Sequence, residues 1–334
     1  MKKDFHILAL SGGGFRGLYT ATILEKIEEA YKEPIANAFD LICGTSIGGI
    51  LALGLAAEIP AKNLKNIFIE NGKDIFSPKL GFFQKFLFKH TKFSKNAAYS
   101  SQKLEQILKH HFGNKKIGDL KHRVLIPTVN CDTGLGQFIK TPHHASFNFD
   151  WKWSIVDTAL ATSAAPTYFP IFKNQVGRFV DGALVGNAPG LFGYHEAKYF
   201  LSDNQEELNI RILCIGTANQ HFGLAGNYNL DIGFFGWREN LINLWFSAQE
   251  GASFCILRHL LGQNLCYVDD QPSIDQARDI GLDKVSNASI TVLQSLANSR
   301  AQKLLGMDEF NVFLKHRAQA PTFYYGSNAI KEIP

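Results

Sequence analysis

The strongest constraint on the fold of this chain is a serine between small residues where two apolar segments meet. Residues 44–48 read GTSIG and fit the pattern G-x-S-x-G. Residues 39–43 before them predict a short buried strand, and residues 47–57 predict a buried helix. Small residues two positions either side of a serine let the chain turn sharply from strand to helix and expose the hydroxyl. The sequence therefore predicts a nucleophile elbow with Ser46 as the nucleophile.

A second glycine-rich segment admits two interpretations. Residues 12–17, GGGFRG, follow an apolar strand at 7–10 and precede an amphipathic helix at 18–31. The spacing also fits G-x-G-x-x-G, so a dinucleotide-binding site is one alternative. Such a site needs an acid at the end of the second strand to hold the ribose hydroxyls. The nearest acid, Asp40, stands at the beginning of that strand, which disfavours this interpretation.

The other interpretation of the glycine loop is an oxyanion hole. Backbone N–H groups at a helix start point at an anion, and the helix dipole adds partial positive charge. Gly12, Gly13 and Gly14 would form the loop, with the second and third as the main donors. Arg16 could orient this loop or attract an anionic head group, and a salt bridge at the helix start is the alternative. Gly17, at the end of the loop, is predicted to support the oxyanion hole without donating to the oxyanion.

A serine nucleophile needs a base, and a carboxylate is better placed for this role than any histidine. None of the eleven histidines stands in a distinctive pattern. Asp181 follows a predicted strand at 178–180 and precedes Gly182, which permits close approach. A carboxylate with a pKa near ~4 is a weak base for a serine, so a dyad would depend on positioning and oxyanion stabilisation. An ordinary Asp-Gly turn is the alternative.

Together these motifs resemble the patatin-like phospholipase family. GGGxRG, GTSIGG and DGA occur in that order, and the similarity runs over residues 8–189, including SAAP at 163–166. The resemblance implies a three-layer α/β/α fold with a central, mostly parallel sheet. It implies hydrolysis of fatty acyl esters through an acyl-enzyme, without a metal, with Ser46 as nucleophile and Asp181 as its sole partner. The glycine loop would then be the oxyanion hole.

Within the family, residues 7–20 and the chain length are similar to bacterial effectors of anti-phage CBASS systems. This resemblance implies activation by a cyclic dinucleotide, membrane phospholipid as substrate and a nucleotide pocket formed with the C-terminal helices. No spacing of cations and aromatic residues marks that pocket, so no nucleotide ligand is assigned. A constitutive lipid acyl hydrolase is the alternative.

The order of predicted elements suggests a catalytic α/β region followed by helices. Strands and helices alternate through residues 1–218, with further buried strands at 123–130 and 210–217. Residues 219–334 are predicted to form a helical C-terminal extension packed on the same domain. Its candidate helices are 239–261, 286–305 and 308–316.

Composition predicts a globular protein of the cytoplasm. The 334 residues are 46% hydrophobic and 19% charged. A net charge of +4 is too diffuse to indicate a nucleic acid polymer, but it is compatible with an anionic membrane surface. Five cysteines without CxxC spacing indicate buried free thiols and a reducing compartment. Peripheral association with the inner membrane and a homo-oligomer are both compatible with the sequence.

The segment 79–95 combines lysines with phenylalanines. Four phenylalanines fall near one helical face and three lysines largely on another, which is typical of an interfacial amphipathic helix. A phospholipase must reach lipid in a bilayer, so this segment is predicted to contact the membrane. A flap packed on the protein's own core is the alternative.

Overall fold

The computed structural model describes residues 2–77, 96–202, 207–219, 222–224 and 230–330. The segment predicted to contact the membrane, 79–95, lies outside these ranges.

A sheet of eight strands forms the centre of the molecule. The strands are β1 (Lys3–Leu10), β2 (Leu41–Gly44), β3 (Val124–Asn130), β4 (Leu135–Lys140), β5 (Phe172–Lys173), β6 (Arg178–Asp181), β7 (Leu208–Ile215) and β8 (Leu265–Val268). Their order is β5-β6-β3-β2-β1-β7-β8, and β4 also pairs with β3. The β1–β2, β1–β7, β2–β3 and β7–β8 pairs are parallel, whereas those involving β4, β5 and β6 are antiparallel.

Helices cover both faces of the sheet. They are α1 (Gly17–Tyr31), α2 (Ile47–Ala56), α3 (Ala61–Ile75), α4 (Gln102–Phe112), α5 (Ile155–Thr162), α6 (Ala183–Gly186), α7 (Gly190–Phe200), α8 (Phe234–Leu261), α9 (Ile274–Asp279), α10 (Asn287–Leu305) and α11 (Asp308–Lys315). Along β1, Leu8 and Leu10 belong to one apolar core, and Ile7 and Ala9 belong to the other. Because successive side chains of a strand point to opposite faces, this alternation places a core on each side. The predicted three-layer α/β/α fold is confirmed.

The two motifs of the predicted dyad meet because β2 and β6 share one edge of β3. On its other edge, β3 pairs with β4 along residues 125–130. On the shared edge, β2 pairs with β3 only at Val124 and Leu125, and β6 pairs from Thr128 onward. Asp181, at the end of β6, is the partner of Thr128. The last residue of β6 therefore lies beside the end of β2, where the serine motif begins.

The C-terminal part of the chain adds a strand to the sheet. The sequence pattern predicted only helices beyond residue 218, but β8 pairs in parallel with β7 and extends the sheet. Four residues between a long helix and a polar loop are too few to show a strand period, which is why the strand was missed. The antiparallel pairing of β4, β5 and β6 was also not predicted from the sequence.

The structure also shows how far the cysteines are buried and whether a described helix could cross a membrane. All five cysteines are free, but only Cys43 and Cys214 are buried as predicted. Cys131 and Cys266 are half-buried, and Cys255 is exposed. Over the described ranges, no helix combines the length and apolarity that crossing a membrane requires.

Candidate active site

The chain turns sharply between β2 and α2, at the serine of G-x-S-x-G. Ser46 has φ of 55° and ψ of −124°, and such a conformation costs a non-glycine residue about 1–3 kcal/mol. The flanking glycines make close packing possible. A Cβ on Gly44 would lie 2.1 Å from the Gly48 carbonyl oxygen, and one on Gly48 would lie 2.3 Å from that of Leu10. The turn therefore has the geometry of a nucleophile elbow.

The Ser46 hydroxyl donates a hydrogen bond of 2.6 Å to Oδ2 of Asp181. The other carboxylate oxygen, Oδ1, accepts one of 2.8 Å from the Ala183 N–H, which fixes the carboxylate orientation. Asp181 is 2% exposed and Ser46 is 9% exposed. Burial raises the pKa of Asp181 to about 7, although both hydrogen bonds act to lower it. The carboxylate is thus a stronger base than an aspartate in water.

No histidine of the described residues contacts the serine hydroxyl. Within the described part of the chain, Asp181 is the side-chain acceptor for the Ser46 hydroxyl, and no histidine contacts it. The buried His143 instead bonds to Thr141 at 2.8 Å and to Glu196 at 3.0 Å. Among the described residues, the arrangement around the serine is therefore a Ser–Asp pair and not a triad with histidine.

The three loop glycines differ in how their N–H groups are used. The Gly12 N–H donates to the Asn187 carbonyl oxygen at 3.1 Å, so it is occupied in this conformation. Among the described residues, the N–H groups of Gly13 and Gly14 have no backbone acceptor. A Cβ on Gly12 would lie 3.1 Å from that of Ser46, so the loop runs directly beside the serine. Two unpaired donors beside a nucleophile are what an oxyanion requires.

Gly14 also meets the C-terminal part of the chain. Its φ is +56°, and a Cβ there would lie 2.1 Å from the Leu282 carbonyl oxygen. The same oxygen accepts a hydrogen bond of 2.7 Å from the Phe15 N–H. Asp283, the next residue, accepts a hydrogen bond of 2.7 Å from the Tyr99 hydroxyl. The connection between α9 and α10 thus holds the glycine loop in place.

Arg16 and Gly17 support the loop from behind. Arg16 donates a hydrogen bond of 2.7 Å from Nη1 to Asn219, and its buried Nε has no partner among the described residues. Burial lowers the pKa of its guanidinium, and the nearby Asp269 and Glu250 oppose this effect. Both carboxylates act on the guanidinium only as nearby charges, and among the described residues neither accepts a hydrogen bond from it. The alternative salt bridge at the helix start is thus not seen among the described residues, and the role of Arg16 in orienting the loop stays a prediction.

Gly17 allows close packing between α1 and α2. A Cβ at this position would lie 2.7 Å from a side-chain carbon of Ile47, the residue that follows Ser46. The lack of a side chain therefore brings the end of the glycine loop against the start of α2.

A large cavity of about 1430 Å³ opens beside the serine and the aspartate. Its walls carry both residues, the glycine loop and many aliphatic and aromatic side chains, among them Ile50, Phe68, Phe76, Leu108, Phe169 and Phe246. A mostly apolar chamber of this size can hold a long hydrocarbon chain. Its existence could not be inferred from the sequence, because the lining comes from distant segments.

The sequence motifs missed several residues around the site. Thr162 accepts a hydrogen bond of 3.0 Å from the Ser46 N–H, and Asn187 and Leu282 contact the glycine loop. The only available signal was that Thr162 precedes the SAAP segment. No described cluster of three or more His, Cys, Asp or Glu residues could hold a metal ion.

Comparisons with known proteins agree with this geometry. A family model described as patatin-like phospholipase matches residues 8–190, more than half of the chain. A Pseudomonas aeruginosa protein named "cGAMP-activated phospholipase" is 49% identical, with 99% of this chain and 97% of that protein covered. A Vibrio cholerae protein of the same name is 36% identical, with 97% and 95% covered. An Escherichia coli protein of that name is 35% identical, with 88% of each covered. The chain belongs to the patatin-like phospholipase family.

Proposed function

We propose that this protein hydrolyses the acyl esters of membrane phospholipids with a Ser46–Asp181 dyad, and that a cyclic dinucleotide activates it in bacterial anti-phage defence. One observation carries the catalytic part of the proposal. A strained serine donates a 2.6 Å hydrogen bond to a buried aspartate at the wall of an apolar cavity of about 1430 Å³.

The reaction proceeds in two acyl transfers. In the first, Ser46 Oγ attacks the ester carbonyl carbon while its proton passes to Oδ2 of Asp181. The tetrahedral intermediate collapses, and the leaving alcohol takes that proton, which leaves an acyl-serine. In the second, water attacks the acyl carbon and gives its proton to Asp181. Collapse returns the proton to Ser46 and releases the fatty acid.

The glycine loop supplies the electrostatic stabilisation. The negative charge on the carbonyl oxygen would be stabilised by the N–H groups of Gly13 and Gly14. Loss of one aligned donor typically costs about 10²–10³ in kcat. A carboxylate with a pKa of about 7 remains far below a serine hydroxyl in basicity, so these donors and the alignment of the dyad provide much of the acceleration.

Activation by a cyclic dinucleotide is proposed from the relatives. Three proteins named "cGAMP-activated phospholipase" each match at least 88% of this chain. Their similarity extends beyond residue 190, where the patatin-like match ends. A nucleotide-responsive surface in the C-terminal part would explain why that part is retained. A constitutive lipid hydrolase and a dinucleotide-binding protein are the outcomes that a direct assay must exclude.

That assay measures fatty-acid release from phosphatidylglycerol and phosphatidylethanolamine liposomes. Wild type and Ser46→Ala are compared with and without a panel of cyclic dinucleotides that includes cGAMP. We expect release by wild type only, and only with a nucleotide. Release without nucleotide would leave a constitutive hydrolase. Fluorophosphonate labelling of Ser46→Ala at the wild-type rate would contradict the nucleophile assignment.

The membrane contact proposed for 79–95 has its own test. Replacing Phe82, Phe83 and Phe86 by serine removes the apolar face predicted from the sequence. We expect weaker liposome binding and slower liposome hydrolysis, with hydrolysis of a soluble short-chain ester retained. Equal loss on both substrates would contradict an interfacial role.

A further inference from the structure

We propose that Thr162 is a positioning residue that holds the backbone of the nucleophile in its strained conformation and in register with the aspartate. The inference rests on the proposed Ser46–Asp181 dyad. It concerns a side chain with no contact to the substrate cavity, so its effect would pass through the serine.

The hydroxyl of Thr162 bridges two backbone groups that belong to different elements. It accepts a hydrogen bond of 3.0 Å from the Ser46 N–H. It also donates one of 2.6 Å to the carbonyl oxygen of Pro127 in β3. The side chain is fully buried, so no water can replace either bond without rearrangement. One hydroxyl therefore ties the elbow to the strand beside it.

The backbone of Thr162 reaches the other half of the dyad. Its carbonyl oxygen accepts a hydrogen bond of 3.2 Å from the N–H of Gly182, the residue after Asp181. A Cβ on Gly182 would lie 2.2 Å from the Pro127 carbonyl oxygen. The Pro127 carbonyl therefore lies close to Gly182 and also accepts the hydrogen bond of the Thr162 hydroxyl. Thr162 thus stands between the two turns that carry the reacting side chains.

Neighbouring hydroxyls in this helix and directly after it behave differently. Thr158 and Ser163 each donate to the carbonyl four residues earlier, at 2.9 and 2.6 Å, as threonine and serine commonly do in helices. Thr162 bonds away from its own helix instead. Its methyl group packs close to Gly49, where a Cβ would lie 2.9 Å away, and this contact restricts the rotamer. The helix therefore provides a matched internal control.

The test compares four variants. Thr162→Val removes the hydroxyl while it keeps the shape, and Thr158→Val makes the same change one turn earlier, at an equally buried site. Thr162→Ser keeps the hydroxyl, and Thr162→Ala removes it together with the methyl group. The measurements are the rate of fluorophosphonate labelling of Ser46, kcat and KM on a soluble short-chain ester, and the melting temperature.

We expect Thr162→Val to lower the labelling rate and kcat about 10- to 100-fold, since small displacements of a nucleophile have effects of this size. KM should change little, because the cavity is untouched. Thr158→Val should label at the wild-type rate despite a comparable fall in melting temperature. Thr162→Ser should recover most of the rate.

Three outcomes would overturn the proposal. The first is a wild-type labelling rate in Thr162→Val, and the second is a labelling rate in Thr158→Val that falls as far as in Thr162→Val. The third is a labelling rate in Thr162→Ser that is no higher than in Thr162→Val. Should the valine variant not fold, the serine and alanine variants carry the test, and equal rates for these two would contradict it. All variants are measured with the cyclic dinucleotide that activates the wild type. A wild type that stays inactive with every nucleotide of the panel, or an active Ser46→Ala, would instead mark failure of the proposed dyad.

Discussion

At the scale of single residues, the candidate site joins a strained serine to a buried acid. The positive φ of Ser46 and the 2% exposure of Asp181 each cost stability. Proteins retain such destabilising features mainly where they serve function. Here the two residues concerned form one hydrogen bond, from the Ser46 hydroxyl to Asp181. The pKa of Asp181 and the consequences of neutralising it are therefore the direct tests at this scale.

The first prediction concerns pH. Burial raises the pKa of Asp181 to about 7, and only the ionised carboxylate can accept the serine proton. The labelling rate of Ser46 should therefore fall about tenfold per pH unit below 7 and level off above it. With an ordinary carboxyl pKa of 3.8, the rate would be level from about pH 5 upward.

This profile has a necessary control, because burial also raises the pKa of Asp269 to about 7. Asp269 accepts hydrogen bonds from the N–H groups of Ala218 and Asp270 and does not contact the serine. Asp269→Asn should keep the inflection near pH 7. Disappearance of the inflection in Asp269→Asn would show that the titration belongs to Asp269 and not to Asp181.

The second prediction concerns Asp181→Asn. The amide has nearly the same shape and can still accept from Ala183, but it cannot take a proton from the serine. Hydrolysis should fall by about 10²–10⁴. The melting temperature should not fall, since a neutral group is easier to bury. Retained turnover would indicate a different base.

At the scale of elements, the glycine loop is held by the connection between α9 and α10. The Leu282 carbonyl occupies the space where a side chain on Gly14 would lie. The loop before the helix α4 is tied to the same connection through Tyr99 and Asp283. Segments from opposite ends of the chain thus shape one loop.

The third prediction compares two glycines with nearly equal φ, Gly14 at +56° and Gly113 at +57°. Alanine at either position is strained, at a cost of about 1–3 kcal/mol. Only at Gly14 does the new methyl group meet a carbonyl, since nothing lies within 4 Å of a Cβ on Gly113. Gly14→Ala should lower both labelling rate and stability, and Gly113→Ala should lower stability alone. An equal fall of the labelling rate in Gly14→Ala and Gly113→Ala would contradict the interpretation that Leu282 positions the glycine loop.

At the scale of the whole molecule, residues beyond 218 complete the core. Strand β8 extends the sheet, and α10 packs on α1 with buried Leu293, Ala297, Ala301 and Leu304. Removing all residues beyond 218 would expose an apolar face of α1 and an unpaired edge of β7. The C-terminal part is therefore a structural component of the catalytic region as well as a candidate for regulation.

The fourth prediction follows from this packing. A chain ending at residue 218 should be insoluble or unfolded, and any soluble fraction should show no cooperative thermal transition and no labelling of Ser46. The full chain is the control, measured by circular dichroism and by fluorophosphonate. A folded and labelled 1–218 fragment would show that the catalytic region is an independent domain.

Local motifs predicted much of this site because their chemistry depends on short-range geometry. A serine elbow needs small neighbours, and a glycine loop needs bare N–H groups at a helix start, so both leave a pattern within six residues. The strands around these motifs were predicted for the same reason, since continuous apolar runs mark buried parallel strands. The short edge strand β8 and the antiparallel strand β4 left no such pattern.

The sequence by itself determined the α/β class, the family and the identity of Ser46, Asp181 and the glycine loop as candidates. Only the tertiary structure decided which loop N–H groups lack a backbone acceptor among the described residues, how far Asp181 is desolvated, and that Thr162 and Leu282 contact the site. Hydrogen-bond partners and burial depend on residues more than one hundred positions apart. Such contacts arise when β2 and β6 share one edge of β3, and no local pattern encodes that arrangement.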